Sequence, residues 1–209
     1  MFRVNHLVGL GARRASSGAA IVQPSFNGAD ADADVTLTND DRTMSMPGST
    51  TGGVRSVTSA GAVKLYWELI MNNGGSASRY GIATASYTVT GAPGHDANSW
   101  AVNGDAQIYN GSGTAIRDLG TNPAQSGGSW MFAYDGVAGS LWIGDADAGT
   151  WYESGDPAAG TGAQFTGITG PVFIVAGRSS GGSTRGATLP LLASYLRSPP
   201  TGFTAGWSS

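Results

Sequence analysis

The sequence predicts an all-β fold, an antiparallel two-sheet sandwich, and three observations point to it. Glycine and proline are abundant, 34 and 9 in 209 residues, about a fifth of the chain against roughly an eighth in ordinary domains, which describes a folded but turn-rich protein. Charged residues are only 12%, with Lys64 the single lysine and Glu68 and Glu153 the only glutamates, so the residues that sustain exposed helix faces are nearly missing. Short runs rich in β-branched and aromatic residues recur between Gly, Asn, Asp and Ser clusters, and no helix-period segment of ten or more residues interrupts them.

Along the chain, residues 1–28 differ in character from the remainder. They carry Arg3, Arg13 and Arg14 without an acid, then the small-residue stretch ASSGAA and Pro24. Such a segment buries too little apolar area to offset its own ordering, so it reads as an arm that stays mobile or docks elsewhere through Phe2, Val4, Leu7, Val8 and Leu10. Residues 29–209 read as one sandwich domain. Its expected strands are VTLTN, RTMSM, VRSVTS, AVKLYWELIM, SRYGIAT, SWAVNG, QIYNG, SWMFAYDG, SLWIGD, TWYES and PVFIVAG. In the fourth run Val63, Leu65, Trp67 and Leu69 alternate with Lys64, Tyr66, Glu68 and Ile70. This places an apolar side inward, a mixed side outward, and the strand in the middle of a sheet. In SWMFAYDGVAGSLWIGD, Trp130, Phe132 and Tyr134 share a face, Asp135-Gly136 opens a loop that Gly139 closes, and Leu141 and Ile143 resume the alternation. That is a core hairpin.

Several function classes are disfavoured. A net charge of −3 argues against a surface built to hold nucleic acid. The absence of cysteine removes disulfides, thiolate metal sites and thiol nucleophiles. No run approaches the roughly 18 apolar residues of a membrane span. The start MFRVNHLVGLGARR is a poor secretory signal, and the polar stretch after Arg13-Arg14 does not suit twin-arginine export.

The chemistry-bearing residues read as turn and loop residues. Only His6 and His95 are available as imidazole bases, no G-x-S-x-G elbow occurs, and His95 in APGHDAN reads as a solvated loop residue. A glycosidase pair could be sought among Glu68, Asp135, Asp145, Asp147, Glu153 and Asp156, but most of these stand in turn sequences where Asp accepts local backbone N–H bonds. Asp30, Asp32 and Asp34, with Asp40 and Asp41, resemble a calcium loop without its glycine and glutamate, and read as a solvated lead-in to the first strand. GRSSGGSTRG, Gly177 to Gly186, lacks the G-K-[ST] ending of a phosphate loop and reads as a long mobile connection. No metal or cofactor is expected. Of the tryptophans, Trp67, Trp130 and Trp142 lie on strands as core residues, while Trp100, Trp151 and Trp207 sit at strand ends or in the tail. Tyr87, Trp100, Tyr109 and Trp151 could line a loop surface, where large amphipathic rings supply contact area at little entropic cost.

The strands also resemble a family. AVKLYWELIM is similar to the "GKWYWEV" strand of SPRY domains, RYGIAT to its "VGIA" strand, and GHDANSWAVNGDAQIYNG to its "G…NSWGY…G…YNNG" segment. WMFAYDGVAGSLWIG resembles "IGVALDLDAGKLWFS", TWYESGDPAAGTGAQFTGITGPVFIVAG resembles "GTWQGSGDPAAGTNPAFTGLSGTYYPAV", and SPPTGFTAG resembles the "PPAGFKAL" ending. Upstream, VTLTNDDRTMSM and GGVRSVTSAG resemble strands of phage versions. The matches run in order over about residues 33–209. The chain departs where Gly128-Ser129 replaces an acidic "GD" and ATLPLLASYL replaces "FGQRPF".

The resemblance implies a bent lectin-like sandwich of the concanavalin type that binds protein or sometimes glycan without catalysis, its ligand surface built by loops at Tyr87 to Asn98 and Asn103 to Gly113. The binding residues expected are therefore Tyr87, His95, Asp96, Asn98, Trp100, Tyr109 and Trp151. The phage likeness implies a virion protein of tail, fibre or head surface, assembled in the host cytoplasm. Its arm (Phe2, Arg3, Val4, Leu7, Val8, Leu10, Arg13, Arg14) would hold other virion proteins, its loops would meet a host surface protein or glycan, and it would be displayed in several copies. Two rival readings remain open: a cellular protein-binding module, and a glycan-binding or glycan-cleaving protein on the same sandwich.

Overall fold

A computed structural model describes residues 22–207. In chain order the strands are β1 (Phe26–Ala31), β2 (Thr36–Thr38), β3 (Thr43–Met46), β4 (Gly52–Ser56), β5 (Lys64–Asn73), β6 (Ser78–Thr84), β7 (Ser99–Asn103) and β8 (Gln107–Tyr109). They continue with β9 (Arg117–Asp118), β10 (Ser129–Asp135), β11 (Ser140–Asp145), β12 (Thr150–Trp151), β13 (Val172–Arg178), β14 (Arg185–Thr188) and β15 (Thr204–Ala205). The first sheet runs β1-β4-β13-β6-β7-β8-β9 and the second β12-β11-β10-β5-β14-β3-β2. Pairing is antiparallel within both orders, and β15 adds a short parallel contact to the start of β5. The all-β sandwich expected from the sequence is the fold observed.

The two sheets close over a core drawn from the alternation. Leu65, Trp67, Leu69 and Met71 of β5 face Tyr80 and Ile82 of β6, Val102 of β7 and Ile174 of β13 in one buried cluster. Trp67 and Phe132 are register partners on β5 and β10, and their rings stack with centroids 4.9 Å apart. Full burial of side chains of this size is worth about 1.5–3 kcal/mol each. As expected, β5 is a central strand, with β10 on one side and β14 and β15 sharing the other. The hairpin at Asp135-Gly136 also forms, pairing Trp130 with Asp145 through Asp135 with Ser140.

Several expectations are revised. The middle of the mixed side of β5 does not face solvent: Lys64 stays exposed, but Tyr66 is fully buried and Glu68 is 1% exposed. The segment after β14 folds back over them. The Glu68 carboxylate accepts the Tyr66 hydroxyl at 2.5 Å and the backbone N–H groups of Leu196 and Arg197 at 2.7 and 2.8 Å. Tyr66, Met131, Trp142 and Phe203 form a second buried cluster there. Trp207 is core, not tail: its indole meets Trp67 edge-on at 4.8 Å and donates to the Thr58 carbonyl at 2.8 Å.

The last residues of the segment read as an arm belong to the sandwich. Val22 bridges to Trp207, the Gln23 side chain bonds the Pro190 carbonyl and the Leu192 N–H, both at 2.9 Å, and Phe26 at the head of β1 is fully buried. The anchoring residues Phe2 to Arg14 lie outside the described residues. Between β13 and β14 the glycine-rich connection is gathered by Arg178, whose buried guanidinium donates to the carbonyls of Pro47, Gly48, Ser179, Gly181 and Ser183.

Candidate functional site

On β6 the side chains of Tyr80 and Ile82 enter the core, which turns Arg79, Gly81 and Ala83 to the outer face of the first sheet. Gly53, Gly81, Ala83 and Gly177 keep part of that face low, and a long connection lies against it. The segment between β6 and β7 crosses it with Tyr87 packed on Ala83 and Val175. Glycine is needed beneath: a Cβ on Gly53 would stand 2.8 Å from the Tyr87 hydroxyl oxygen and 3.3 Å from Pro93, and one on Gly177 3.0 Å from Pro93. The Tyr87 hydroxyl donates to the Gly91 carbonyl, and burial, followed by the field of Asp96, pushes its pKa up. Tyr87 is thus a buried support for this loop.

The two loops expected to form a ligand surface are fastened together. The Gly111 N–H donates to the Asp96 carbonyl at 2.9 Å, and the Asn110 side chain donates to the Ser99 carbonyl at 2.9 Å. Asp96 spends its side chain on the Asn98 N–H and the Ser99 hydroxyl, at 2.9 and 3.0 Å. Where the loops meet the end of β6 they enclose a cavity of about 170 Å³ lined by Arg79, Pro93, His95, Tyr109, Ser112 and Ser179, with Gly94 and Gly113 at its edges. His95 and Ser112 are exposed at the mouth, while Arg79 and Tyr109 are both 6% exposed.

Arg79 is the charged group of this cavity. Its guanidinium lies 3.8 Å from the centre of the Tyr109 ring, a cation held against the negative face of an aromatic system. Its Nη1 donates to the carbonyls of Ser76 and, at 3.0 Å, Ser78. Burial lowers its pKa from the ordinary arginine value, against which Tyr109 and Asp105 act. The Tyr109 hydroxyl is fixed in turn by Gln107 and Asn103, at 3.0 and 3.3 Å.

The sequence-expected residues separate into three groups. His95 and Tyr109 line the cavity, and Asp96 fastens its walls. Asn98 lies in the same loop, where its carbonyl accepts the Thr84 N–H at 2.8 Å. Trp100 and Trp151 stand elsewhere: Trp100, paired with Ile82, packs on the main core, and Trp151 packs edge-on against Tyr66 on the outer side of the second sheet. Arg79, Ser112 and Ser179 were not singled out in the sequence. The signal available for Arg79 was a lone cation alternating with Tyr80 and Ile82.

The acids weighed for catalysis are engaged individually. Asp135 pairs with Lys64 at 2.9 Å and accepts the N–H groups of Val137 and Ala138. Asp145 and Asp156 each accept a backbone N–H three residues on, Asp147 accepts that of Ser129, and Glu153 pairs with Arg117 at 2.9 Å. The acidic run is not a lead-in to the first strand: Asp30 lies on β1 and holds Arg55, and Asp32 just beyond it accepts the Asp34 N–H. A larger cavity of about 290 Å³ lies over Tyr195 and Arg197, but there the guanidinium already donates to the carbonyls of Ala146 and Asp147.

No protein-family model and no curated protein matches the sequence. Solved structures do. The TRIM65 PSpry domain is 18% identical with a TM-score of 0.60, over 81% of this chain and 92% of that one. The SPRY domain of human HERC1 is 9% identical, also at 0.60, over 80% and 98%. Stonustoxin is 15% identical at 0.57, over 81% of this chain but 27% of its own. The fold is therefore SPRY-like.

Proposed function

We propose that this protein is a non-enzymatic binding module of a bacteriophage virion, attached through its N-terminal arm and presenting the loop-covered face of its first sheet to a protein partner. The observation that carries the binding part is the cavity under the two fastened loops, with a desolvated guanidinium in its wall. SPRY-like neighbours agree with protein binding as its mode of action. The virion part is supported by the likeness of the strands to phage versions of the fold and by an acid-free arm with three arginines.

Among the described residues the contacts of the sandwich begin at Val22, so the informative deletion removes residues 1–21. On this reading the truncated chain folds as the full chain does but is lost from purified particles, measured by mass spectrometry of the virions. Normal incorporation of the truncated chain would overturn arm attachment. Release of reducing sugar from a host surface glycan, abolished by Glu68→Gln or Glu153→Gln, would overturn the non-enzymatic reading.

A further inference from the structure

Resting on the binding-module reading, we propose that the cavity at Arg79 receives a carboxylate of the partner protein, gripped by the Nε–H and Nη2–H edge of the guanidinium. Arg79 uses only Nη1 among the described residues, on the carbonyls of Ser76 and Ser78. This leaves Nε and Nη2, two parallel donors at the spacing of a carboxylate's oxygens. The molecule contains the complete form of the same grip. Arg55 donates from Nε and Nη2 to the two oxygens of Asp30 at 2.6 and 2.8 Å. Arg79 repeats the largely buried cation without the acid. No carboxylate among the described residues lies within ion-pair distance of it. Asp105, whose field reaches it, spends an oxygen on Gln125 at 2.6 Å.

A guanidinium with little contact to water gains more from a partner than an exposed one does, because its hydration is already reduced. The Tyr109 ring holds the fork in place from one side, so little freedom is lost on binding. Size agrees. About 170 Å³ is below the roughly 300–1,000 Å³ of small-molecule sites and suits one side chain or a chain terminus. The charge favours a monoanion: one buried guanidinium, with the negative charge of Asp105 acting on it, is a poor match for the double charge of phosphate.

The test monitors the Arg79 Nε–H resonance of the full-length protein, assigned by its loss in Arg79→Lys, at constant ionic strength. The probes are N-acetylglycine for a chain terminus, N-acetyl-glutamate α-amide for an acidic side chain, and inorganic phosphate. The expected result is a saturable shift with at least one carboxylate, weaker with phosphate, the tighter carboxylate naming its source. Ser112→Glu, an exposed change that brings a competing acid to the mouth, is expected to weaken binding about tenfold, the worth of one charged hydrogen bond. Ser112→Gln, which matches the glutamate in size without its charge, should weaken binding less than Ser112→Glu does. No shift with either carboxylate, or a tighter response to phosphate, overturns the proposal. Because particle incorporation is read separately, that failure would leave virion attachment standing.

Discussion

The Arg79 guanidinium and the Tyr109 ring are stacked 3.8 Å apart on the outer face of the seven-stranded sheet, each 6% exposed. A charged residue on that face would ordinarily extend into water. Here the segment between β6 and β7, Tyr109 of β8 and the segment after β8 cover it, with one edge of its fork unused by the described residues. The pair links the fold to the proposed binding, since the packing that covers the loop face also fixes the donors it presents.

Replacing Tyr109 by Leu removes the ring beneath the cation. The expected cost is about 0.5–2 kcal/mol in urea unfolding. Arg79→Lys should not preserve this pairing, because an ammonium lacks the planar fork.

Glu68 fastens the C-terminal segment to the outer side of β5. Tyr66→Phe removes one of its three donors and should cost about 1–3 kcal/mol. Glu68→Gln replaces one accepting oxygen by an amide donor that faces the N–H of Leu196 or of Arg197, and should cost more. In both variants hydrogen exchange should quicken first at the Leu196 and Arg197 amides, which donate to this carboxylate.

Arg178→Met leaves five carbonyls without their shared donor. A loss of about 2–4 kcal/mol is expected by denaturant unfolding, with proteolysis appearing between Ser179 and Thr184.

Gly53→Ala pushes a methyl toward the Tyr87 hydroxyl, the nearest atom at 2.8 Å. The single change should cost about 1–3 kcal/mol. Combined with Tyr87→Phe, which removes that oxygen, it should cost less than the sum of the two, a coupling read from a double-mutant cycle.

Stability should fall at both ends of the pH range. Burial raises the Asp135 carboxyl, but the Lys64 contact and the N–H groups of Ala138 and Val137 outweigh it and hold the pKa below its ordinary value. A depressed carboxylate contributes stability above its unfolded value and loses it as pH falls through the folded one, so the loss begins below about pH 4 and is reduced in Asp135→Asn. Burial pushes the Tyr80 phenol up to about 12. A raised phenol contributes in full below its ordinary value near 10 and loses that contribution as pH climbs through the folded one. Thermal melts across pH 2–12 check both limbs.

What the sequence made legible was local. The alternation of Leu65, Trp67 and Leu69 against Tyr66 and Glu68 gave a central strand, and Trp130 to Ile143 gave the hairpin. Which segment covers the second side of β5 depends on residues 192–205, over a hundred positions away, and no periodicity reports that. Strands as short as β9, β14 and β15 carry too little pattern to stand out from turns. At the site, the loops were legible and their role inside the fold was not. Tyr87, Trp100 and Trp151 looked like contact rings because an amphipathic aromatic serves a surface or a core equally well. Arg79 carried no signal of its own because its burial is made by segments from elsewhere in the chain.

The most direct test of recognition at this face is to locate a bound partner by crosslinking. A photoreactive residue is placed at Ser112, at the mouth of the cavity, or at exposed Thr169, beyond the opposite end of β13, about 20 Å of strand away. On the proposed virion role, particles carrying either form are exposed to envelopes of the bacterium that supports their growth. Crosslinks to an envelope protein from Ser112, absent from Thr169 and suppressed by Arg79→Lys, are the expected result. Crosslinks from Thr169 alone, or from Ser112 unchanged by Arg79→Lys, would contradict binding at the Arg79 cavity.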